Sequence, residues 1–159
     1  MIGIGSDHCG FALKQRLCSH LASQGQDVWD FGSFSDEPVD YPDIALAVAE
    51  AVRVGLIDRG ILVCGTGLGM AIAANKVTGV FAAPVTDPFT ARLARERNET
   101  QIITLGANVI GPGLACEIVD AWLAARFRGG ESARKVGKIR AFEARCAETA
   151  ALTAGKRAL

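Results

Sequence analysis

The sequence predicts an α/β protein, a three-layer Rossmann-like sandwich around a five-stranded parallel sheet. Short apolar, β-rich runs alternate with longer segments whose apolar residues recur every three or four positions. The run Arg59–Cys64 is apolar almost throughout, as expected of a strand that helices cover on both faces. We expect one domain over residues 1–150, a C-terminal tail over residues 151–159, and the strand order 2-1-3-4-5.

The first part of the chain alternates strands with two amphipathic helices. Leu13, Leu17 and Leu21 lie four residues apart, which places them on one face of the first helix. Pro42 opens the second helix, because the first helical turn does not need the N–H that proline lacks. A polar loop over residues 32–40 precedes that helix. In order, the predicted elements are strand 2–6, helix 11–23, strand 26–31, helix 42–54 and strand 59–64.

The second part continues the alternation and ends in a charged helix. A glycine-rich turn over residues 65–69 leads into a short helix that ends near residue 76. Strand 80–85, helix 88–97, strand 101–105 and helix 112–125 follow. The last helix starts at Ser132 and has a narrow apolar stripe: Val136, Ile139, Phe142 and Cys146. Such a stripe is too narrow for a core helix, so we expect this helix at a subunit interface.

Composition excludes several classes of function. The chain has 17 basic and 17 acidic side chains, so no net charge attracts nucleic acid or an anionic membrane. It contains no signal-peptide pattern and no apolar run near the roughly 20 residues that span a bilayer. Five cysteines without a C-x-x-C pair are typical of reduced thiols. We therefore expect a cytoplasmic protein that binds neither nucleic acid nor membranes.

Cys64 is the strongest candidate for chemistry. Ligands of open parallel sheets bind beyond the carboxyl ends of the strands, near the point where the strand order reverses. Cys64 ends an apolar strand and precedes a turn with glycine at positions 65, 67 and 69. Amide groups in such a turn stabilise a thiolate or a developing oxyanion, and Thr66 adds a hydroxyl. The alternative is a buried cysteine beside a packing turn.

Asp7 and His8 follow the first strand, and we expect them to contact a substrate at the same edge of the sheet. The alternative for Asp7 is to cap the first helix. A dinucleotide site is the competing interpretation, because glycines surround this turn and Asp30 ends the second strand. The glycine spacing does not fit G-x-G-x-x-G, however, and Asp7 would repel a pyrophosphate.

Five segments carry a family resemblance. They read GSDHCGF at residues 5–11, DYP at 40–42, GILVCGTGLG at 60–69, AANK at 73–76 and GANVIG at 106–111. Over about residues 1–145, the chain resembles the ribose-5-phosphate isomerase B family, which also contains the galactose-6-phosphate isomerase subunits. The C-G-T-G-x-G run followed by A-A-N-K is highly specific.

The resemblance implies an isomerase without metal or cofactor that interconverts ribose 5-phosphate and ribulose 5-phosphate through a cis-enediolate. It also implies a homodimer, or a dimer of dimers, with sites shared between subunits. By the resemblance, Cys64 moves the proton, while Thr66 and the amides of the turn hold the enediolate oxygen. The residues it assigns to the turn and to the rest of the pocket are Gly65, Gly67, Gly69, Asp7, His8, Tyr41 and Asn98.

Three departures bear on the substrate. Arg97 stands where the family usually has a histidine credited with opening the furanose ring. Glu131 and Lys135 stand in the segment where a pair of arginines usually holds the phosphate, and Asn108 replaces a further arginine. A glutamate in place of a phosphate-binding arginine reverses the charge.

The departures leave two alternatives to a pentose isomerase. Tetrulose 4-phosphate, such as erythrulose 4-phosphate, cannot close a furanose ring because its O4 is esterified. It therefore needs no ring-opening histidine, and its phosphate lies closer to C1, within reach of Arg97. The second alternative is a partner-dependent subunit of a two-chain isomerase, in which another chain supplies the missing residues. The counter-interpretation keeps the pentose: Arg134, Lys135, Lys138 and Arg140 form the phosphate clamp one turn away.

Overall fold

A computed structural model of the chain describes residues 1–157, with side chains through residue 153. Its elements are β1 (Ile2–Ser6), α1 (Phe11–Ser23), β2 (Val28–Asp30), α2 (Tyr41–Arg53), β3 (Arg59–Cys64), α3 (Leu68–Ala74), β4 (Ala82–Pro84), α4 (Pro88–Asn98), β5 (Ile102–Gly106), α5 (Pro112–Ala124) and α6 (Gly130–Arg157). They form two compact units, Met1–Phe127 and Arg128–Leu159.

The first unit is a sheet of five parallel strands between two layers of helices. Each face of the sheet has its own core, because successive residues of a strand point to opposite faces. In β3, Ile61 and Val63 pack with α1, α4 and α5, whereas Leu62 and Cys64 pack with α2 and α3. The predicted three-layer α/β class is confirmed, and Cys64 points to the face that α2 and α3 cover.

The strand order is β2-β1-β3-β5-β4, so the predicted order 2-1-3-4-5 is wrong for the last two strands. β5 is buried along its whole length and pairs with a strand on each side. β4 contains Pro84, which has no N–H to donate to a second neighbour. The proline therefore suits the edge position, and the apolar β5 takes the inner one.

Both edge strands are shorter than the sequence predicts. β2 covers three residues of the predicted strand 26–31, and β4 covers three of the predicted strand 80–85. An edge strand has a pairing partner on one side only, so its ladder stops sooner than that of an inner strand. The carboxyl ends of the inner strands remain level, because Ser6 pairs with Val63 and Cys64 pairs with Gly106.

The second unit contains α6. This helix begins at Gly130 rather than Ser132 and continues to Arg157. Val136 of its apolar stripe is buried, while Ile139 and Phe142 are 54% and 60% exposed. Its place at a subunit interface and the boundary at residue 150 stay predictions, and the last two residues of the predicted tail lie outside the described part. Through residue 157, no helix combines the length and apolar character needed to cross a membrane.

Candidate active site

Cys64 lies at the carboxyl end of β3, and only 5% of its surface is exposed. Its Sγ accepts a hydrogen bond from the amide of Gly67 at 3.1 Å. An N–H that points at sulfur stabilises negative charge there, as it does at an oxyanion. The thiol and one amide of the predicted turn are therefore in direct contact.

The end of β5 holds the glycine turn in place. The hydroxyl of Thr104 donates to the carbonyl of Gly67 at 2.7 Å. Gly67 has a φ of +80°, in the left-handed region where a side chain would be strained. Two amides of the following loop donate to carbonyls of the turn, Ala107 to Cys64 at 2.8 Å and Asn108 to Gly65 at 3.0 Å. The turn, which joins β3 to α3, is thus held by β5 and by the loop that follows it.

Thr66 and Tyr41 flank this turn. Thr66 is exposed, and its Oγ1 accepts the amide N–H of Leu68 at 3.3 Å. The ring of Tyr41 lies directly over Gly69, because a Cβ at that position would be 2.7 Å from its Cζ atom. Glycine at position 69 is what allows the ring to approach the start of α3.

Asp7 and His8 lie across from Cys64, in the crevice between the ends of β1 and β3. Ligands are expected there because the strand order reverses between these two strands. Asp7 is buried, and its Oδ1 accepts the amide of Gly10 at 2.9 Å, just before α1. His8 is half-buried, and its Nδ1 accepts the amide of Val39 at 3.4 Å. Asp7 therefore stabilises the turn into α1 while lying at the predicted site.

Arg97 and Asn98 are not at this edge of the sheet. They end α4, which runs back from the carboxyl end of β4 to the amino end of β5. The residues that follow confirm this position, because the amide of Gln101 bonds to Phe81 at the start of β4. Within one chain, Arg97 and Asn98 thus lie at the opposite edge from Cys64.

Lys135 belongs to the second unit. Its Nζ pairs with Glu131 Oε1 at 2.9 Å, one helical turn earlier. Arg134 lies 3.8 Å from the same oxygen. Within α6, Glu131 therefore places a negative charge among the cations that the sequence suggested as a phosphate clamp.

Asp7, His8 and Cys9 are the residues with ligand atoms grouped closely enough to suggest a metal, among those the structure describes. Their ligand atoms lie within 4.8 Å of one another. Asp7 Oδ1 and His8 Nδ1 already accept amide hydrogens, however. These bonds orient the carboxylate and the imidazole toward the crevice side of the turn, and a site without a metal stays a prediction.

The structure argues against the competing dinucleotide site, because Asp30, the acid that would bind the ribose, already has other partners. Both oxygens of Asp30 bond to the ammonium of Lys14, at 2.6 and 2.7 Å. Oδ1 also accepts the amide of Gly32 at 2.9 Å. The carboxylate that would have to bind ribose hydroxyls is therefore engaged within the protein.

Sequence reasoning missed three residues that shape the site. Thr104 was readable as a polar residue in an otherwise apolar strand, and Lys14 as a charge on an apolar helix face. Asn75, in the AANK segment, donates to the carbonyls of Ala71 and Ala82 and accepts the amide of Ala82. It thereby fastens the end of α3 to the edge strand.

A doubly wound sheet with a cysteine in a glycine turn at its switch point defines an α/β enzyme site. The particular family follows from direct comparison. Residues 2–139 match the family model described as Ribose/Galactose Isomerase. The chain belongs to this family, and the suspected resemblance is confirmed.

Two curated relatives are similar over nearly their whole length. The ribose-5-phosphate isomerase B of Escherichia coli is 46% identical over 144 residues, which cover 91% of this chain and 97% of the relative. The D-erythrulose-4-phosphate isomerase of Pectobacterium atrosepticum is 47% identical over 144 residues, covering 89% and 94%. The two relatives act on different sugars at nearly equal identity, so identity alone does not select a substrate.

Solved structures have the same fold as this chain over nearly their whole length. The ribose-5-phosphate isomerase B of Clostridium thermocellum gives a TM-score of 0.89 at 53% identity and covers 91% of this chain and 97% of that one. The enzyme of Mycoplasma genitalium with bound ribulose 5-phosphate gives 0.85 at 41% identity, covering 89% and 95%. The chain is therefore an enzyme of this isomerase fold.

Proposed function

We propose that this chain interconverts ribose 5-phosphate and ribulose 5-phosphate, with Cys64 as the base. The observation that carries the proposal is the thiol of Cys64, which accepts the Gly67 amide in a turn that faces Asp7 and His8. The names and the bound ribulose 5-phosphate of its relatives support the pentose.

The reaction needs one proton carried between neighbouring carbons. The Cys64 thiolate removes the proton from C2 of the open-chain aldose, and the electron pair of the C–H bond forms a C1–C2 double bond. The aldehyde oxygen becomes an enediolate oxygen. Transfer of a proton between the two oxygens and return of the first proton to C1 then give the ketose. C1 is reduced and C2 is oxidised within one molecule, so the proposal requires no metal or cofactor.

The glycine turn supports the enediolate. Its backbone amides at Gly65, Gly67 and Gly69, with the Thr66 hydroxyl, supply donors at the rim where negative charge develops. Fixed donors cost little reorganisation during the reaction, and the bonds from Thr104 and the loop after β5 make the turn rigid. We assign Asp7, His8 and Tyr41 to the substrate hydroxyls, because they border the same crevice.

A second copy of the chain completes the proposed site. Arg97 and Asn98 lie at the amino edge of their own sheet, so they can join Cys64 only from another subunit. This topology supports a homodimer, or a dimer of dimers, with shared sites. Lys135 is proposed to contribute to phosphate binding despite its pairing with Glu131.

Erythrulose 4-phosphate is the second candidate substrate. Arg97 takes the place of a ring-opening histidine, which a tetrulose phosphate does not require. The Glu131–Lys135 pair weakens the clamp for a distant phosphate. A relative at 47% identity is named for this substrate.

The test is to purify the single chain and follow isomerisation by NMR in the presence of EDTA. Ribose 5-phosphate and D- and L-erythrulose 4-phosphate are compared for wild type and Cys64→Ala. We expect turnover by the wild type and a loss of about 1,000-fold in kcat for Cys64→Ala, within the range for an acid–base group. Cys9→Ala, a neighbouring exposed cysteine, is the matched control and should retain activity.

The kcat/KM values for ribose 5-phosphate and erythrulose 4-phosphate identify the preferred substrate. A higher value for ribose 5-phosphate supports the pentose, and a higher value for erythrulose 4-phosphate replaces it with the tetrose. Full activity of Cys64→Ala would refute the proposed base. No turnover by the single chain on any of the three sugars would refute the proposal and favour the two-chain alternative.

A further inference from the structure

Lys14 is a buried cation that the proposed chemistry does not use. Its side chain has no exposed surface. Its Nζ donates to both oxygens of Asp30, at 2.6 and 2.7 Å, and to the carbonyl of Ser33 at 2.6 Å. The rings of Phe11 and Phe34 lie 5.6 and 5.5 Å from it. A buried charge is costly unless every donor is satisfied, so this arrangement is built to hold one geometry.

The partners of Lys14 begin the loop that leads to α2. Asp30 ends β2 and also accepts the amide of Gly32 at 2.9 Å. The carbonyl of Gly32 accepts the amide of Ser6, and the carbonyl of Ser6 accepts the amide of Ser33, both at 2.6 Å. Lys14 thereby ties the start of the loop to α1, and the two backbone bonds tie the same segment to Ser6, directly before Asp7.

The far end of the same loop reaches the candidate active site. Val39 donates its amide to Nδ1 of His8, and Tyr41 follows with its ring over Gly69. Residues 34–40 are all exposed, so packing does little to fix their path. The position of the loop therefore depends on its anchored ends, one of which is Lys14.

We propose that the Lys14–Asp30 pair positions the substrate-binding side chains His8 and Tyr41 by holding loop 32–40 in place. The inference rests on the proposed function, because it assigns those two side chains to the sugar. The competing explanation is that the pair serves stability alone. The two explanations predict different results for a double variant, because replacing both members of a buried ion pair with neutral residues often restores stability. A neutral pair does not, however, replace the ammonium donor to Ser33.

The experiment compares Lys14→Met with the double variant Lys14→Met/Asp30→Asn. The single variant leaves Asp30 without its cation and should lower the melting temperature by about 5 °C or more. The double variant should regain about half of that loss or more, because only the Ser33 carbonyl is left without its donor. Asn at position 30 keeps an oxygen for the Gly32 amide. Both variants should show KM raised about 10-fold with kcat changed less than about threefold, because Cys64 and its turn are untouched.

NMR gives a second readout that a purely structural role would not change. The chain has two histidines, so the imidazole signals need little assignment. We expect the His8 signals to shift in the double variant as the Val39 contact loosens. The signals of His20, which bonds to Asp120 at 2.8 Å, should stay in place. Asp120→Asn is the matched control, since it changes the partner of another α1 side chain, His20, without affecting the loop, and its KM should equal that of wild type.

A double variant with restored stability, wild-type KM and unchanged His8 signals would overturn the inference. Should neither Lys14 variant fold, Asp30→Ala alone repeats the test, because it removes the acceptor of both Lys14 and the Gly32 amide at a side chain that is 30% exposed. It should raise KM in the same direction, and a wild-type KM with unchanged His8 signals would again overturn the inference. An inactive wild type would instead refute the proposed function, while the NMR comparison would still test the loop.

Discussion

Polar groups lie at both ends of the parallel strands, but their hydrogen-bond partners differ. The amino ends of the strands form the amino edge of the sheet, and the carboxyl ends form the carboxyl edge. The amino edge has a surface cavity of about 680 Å³ lined by Asp58, Arg59, Asp120 and Arg126, among others. Arg59 there donates to three carbonyls at the end of α5: Trp122 at 2.7 Å, Leu123 at 3.1 Å and Ala125 at 2.9 Å. Burial lowers the pKa of Arg59 to about 10, which still leaves it charged at neutral pH.

At the carboxyl edge, backbone amides rather than charged side chains are the donors. Its amides point at the sulfur of Cys64 and at Asp7, and its glycines allow Tyr41 to approach. A charged cavity therefore does not by itself indicate a functional site. Here its arginine is already bonded to backbone carbonyls at the end of α5. The destination of each hydrogen bond distinguishes groups that close the fold from groups that face a crevice.

Among tests that compare the two edges, the largest effect is expected from making the same threonine change at each edge. Thr66→Val at the carboxyl edge should lower kcat/KM about 100-fold, because it removes one donor to the enediolate. Its melting temperature should change little, since Thr66 is exposed. Thr100→Val at the amino edge is the control. Its Oγ1 is buried without a hydrogen-bond partner in the described part of the chain, so activity should stay and stability should hold or rise.

Kinetics on both variants with one substrate, together with thermal melting, check this prediction. Equal losses of activity in the two variants would remove the distinction between the edges. A Thr66→Val enzyme with wild-type kcat/KM would remove this hydroxyl from the proposed oxyanion site.

The second effect should appear in stability alone. Arg59→Met removes the bonds to three α5 carbonyls and the contact with the Trp122 ring, 5.1 Å away. We expect a loss of about 2 kcal/mol in the free energy of unfolding by urea, with kcat of the folded enzyme unchanged. Arg53→Met, which removes an exposed pair with Glu50, should cost less than about 0.5 kcal/mol. A large fall in kcat for Arg59→Met would mean that Arg59 itself serves catalysis as well as the fold.

The smallest effect compares the thiol reactivity of the carboxyl edge with that of the helix layer. Burial, followed by the charge of Asp30, raises the pKa of the Cys18 thiol in α1. A raised pKa leaves less thiolate at a given pH, so Cys18 should react slowly at pH 8 and faster only as the pH rises. Cys9 is exposed at the carboxyl edge and should be alkylated by iodoacetamide about 10-fold faster. Peptide mass spectrometry over time measures both, and equal rates at pH 8 would contradict the expected difference.

Much of the fold was predictable because its cause is local. The alternation of short apolar runs with amphipathic helices gave the α/β class, and the five strands and their helices appear in the predicted order along the chain. The strand order failed at β4 and β5, although Pro84 carried a readable signal. Crossover helices of similar length reach either neighbour, so the pairing depended on which strand could be buried on both sides.

The candidate site was predictable in part for the same reason. Cys64, its glycine turn and Asp7-His8 follow strands directly, and parallel strands bring their carboxyl ends together. Arg97 and Asn98 were grouped with them by resemblance alone, yet α4 carries them to the other edge. Because α4 runs back to the amino ends of the strands, its last residues lie far from Cys64 of the same chain.

By itself, the sequence determined the fold class, the family segments and the cysteine at a strand end, because periodicity and turn chemistry are written in neighbouring residues. Only the tertiary structure decided that Lys14 pairs with Asp30, that Thr104 holds Gly67, and that Arg59 closes α5. In these three contacts the partners are separated by 16, 37 and 63 positions along the chain. A buried charge or hydroxyl takes whichever partner the packed elements bring to it, and that partner is not specified by local pattern.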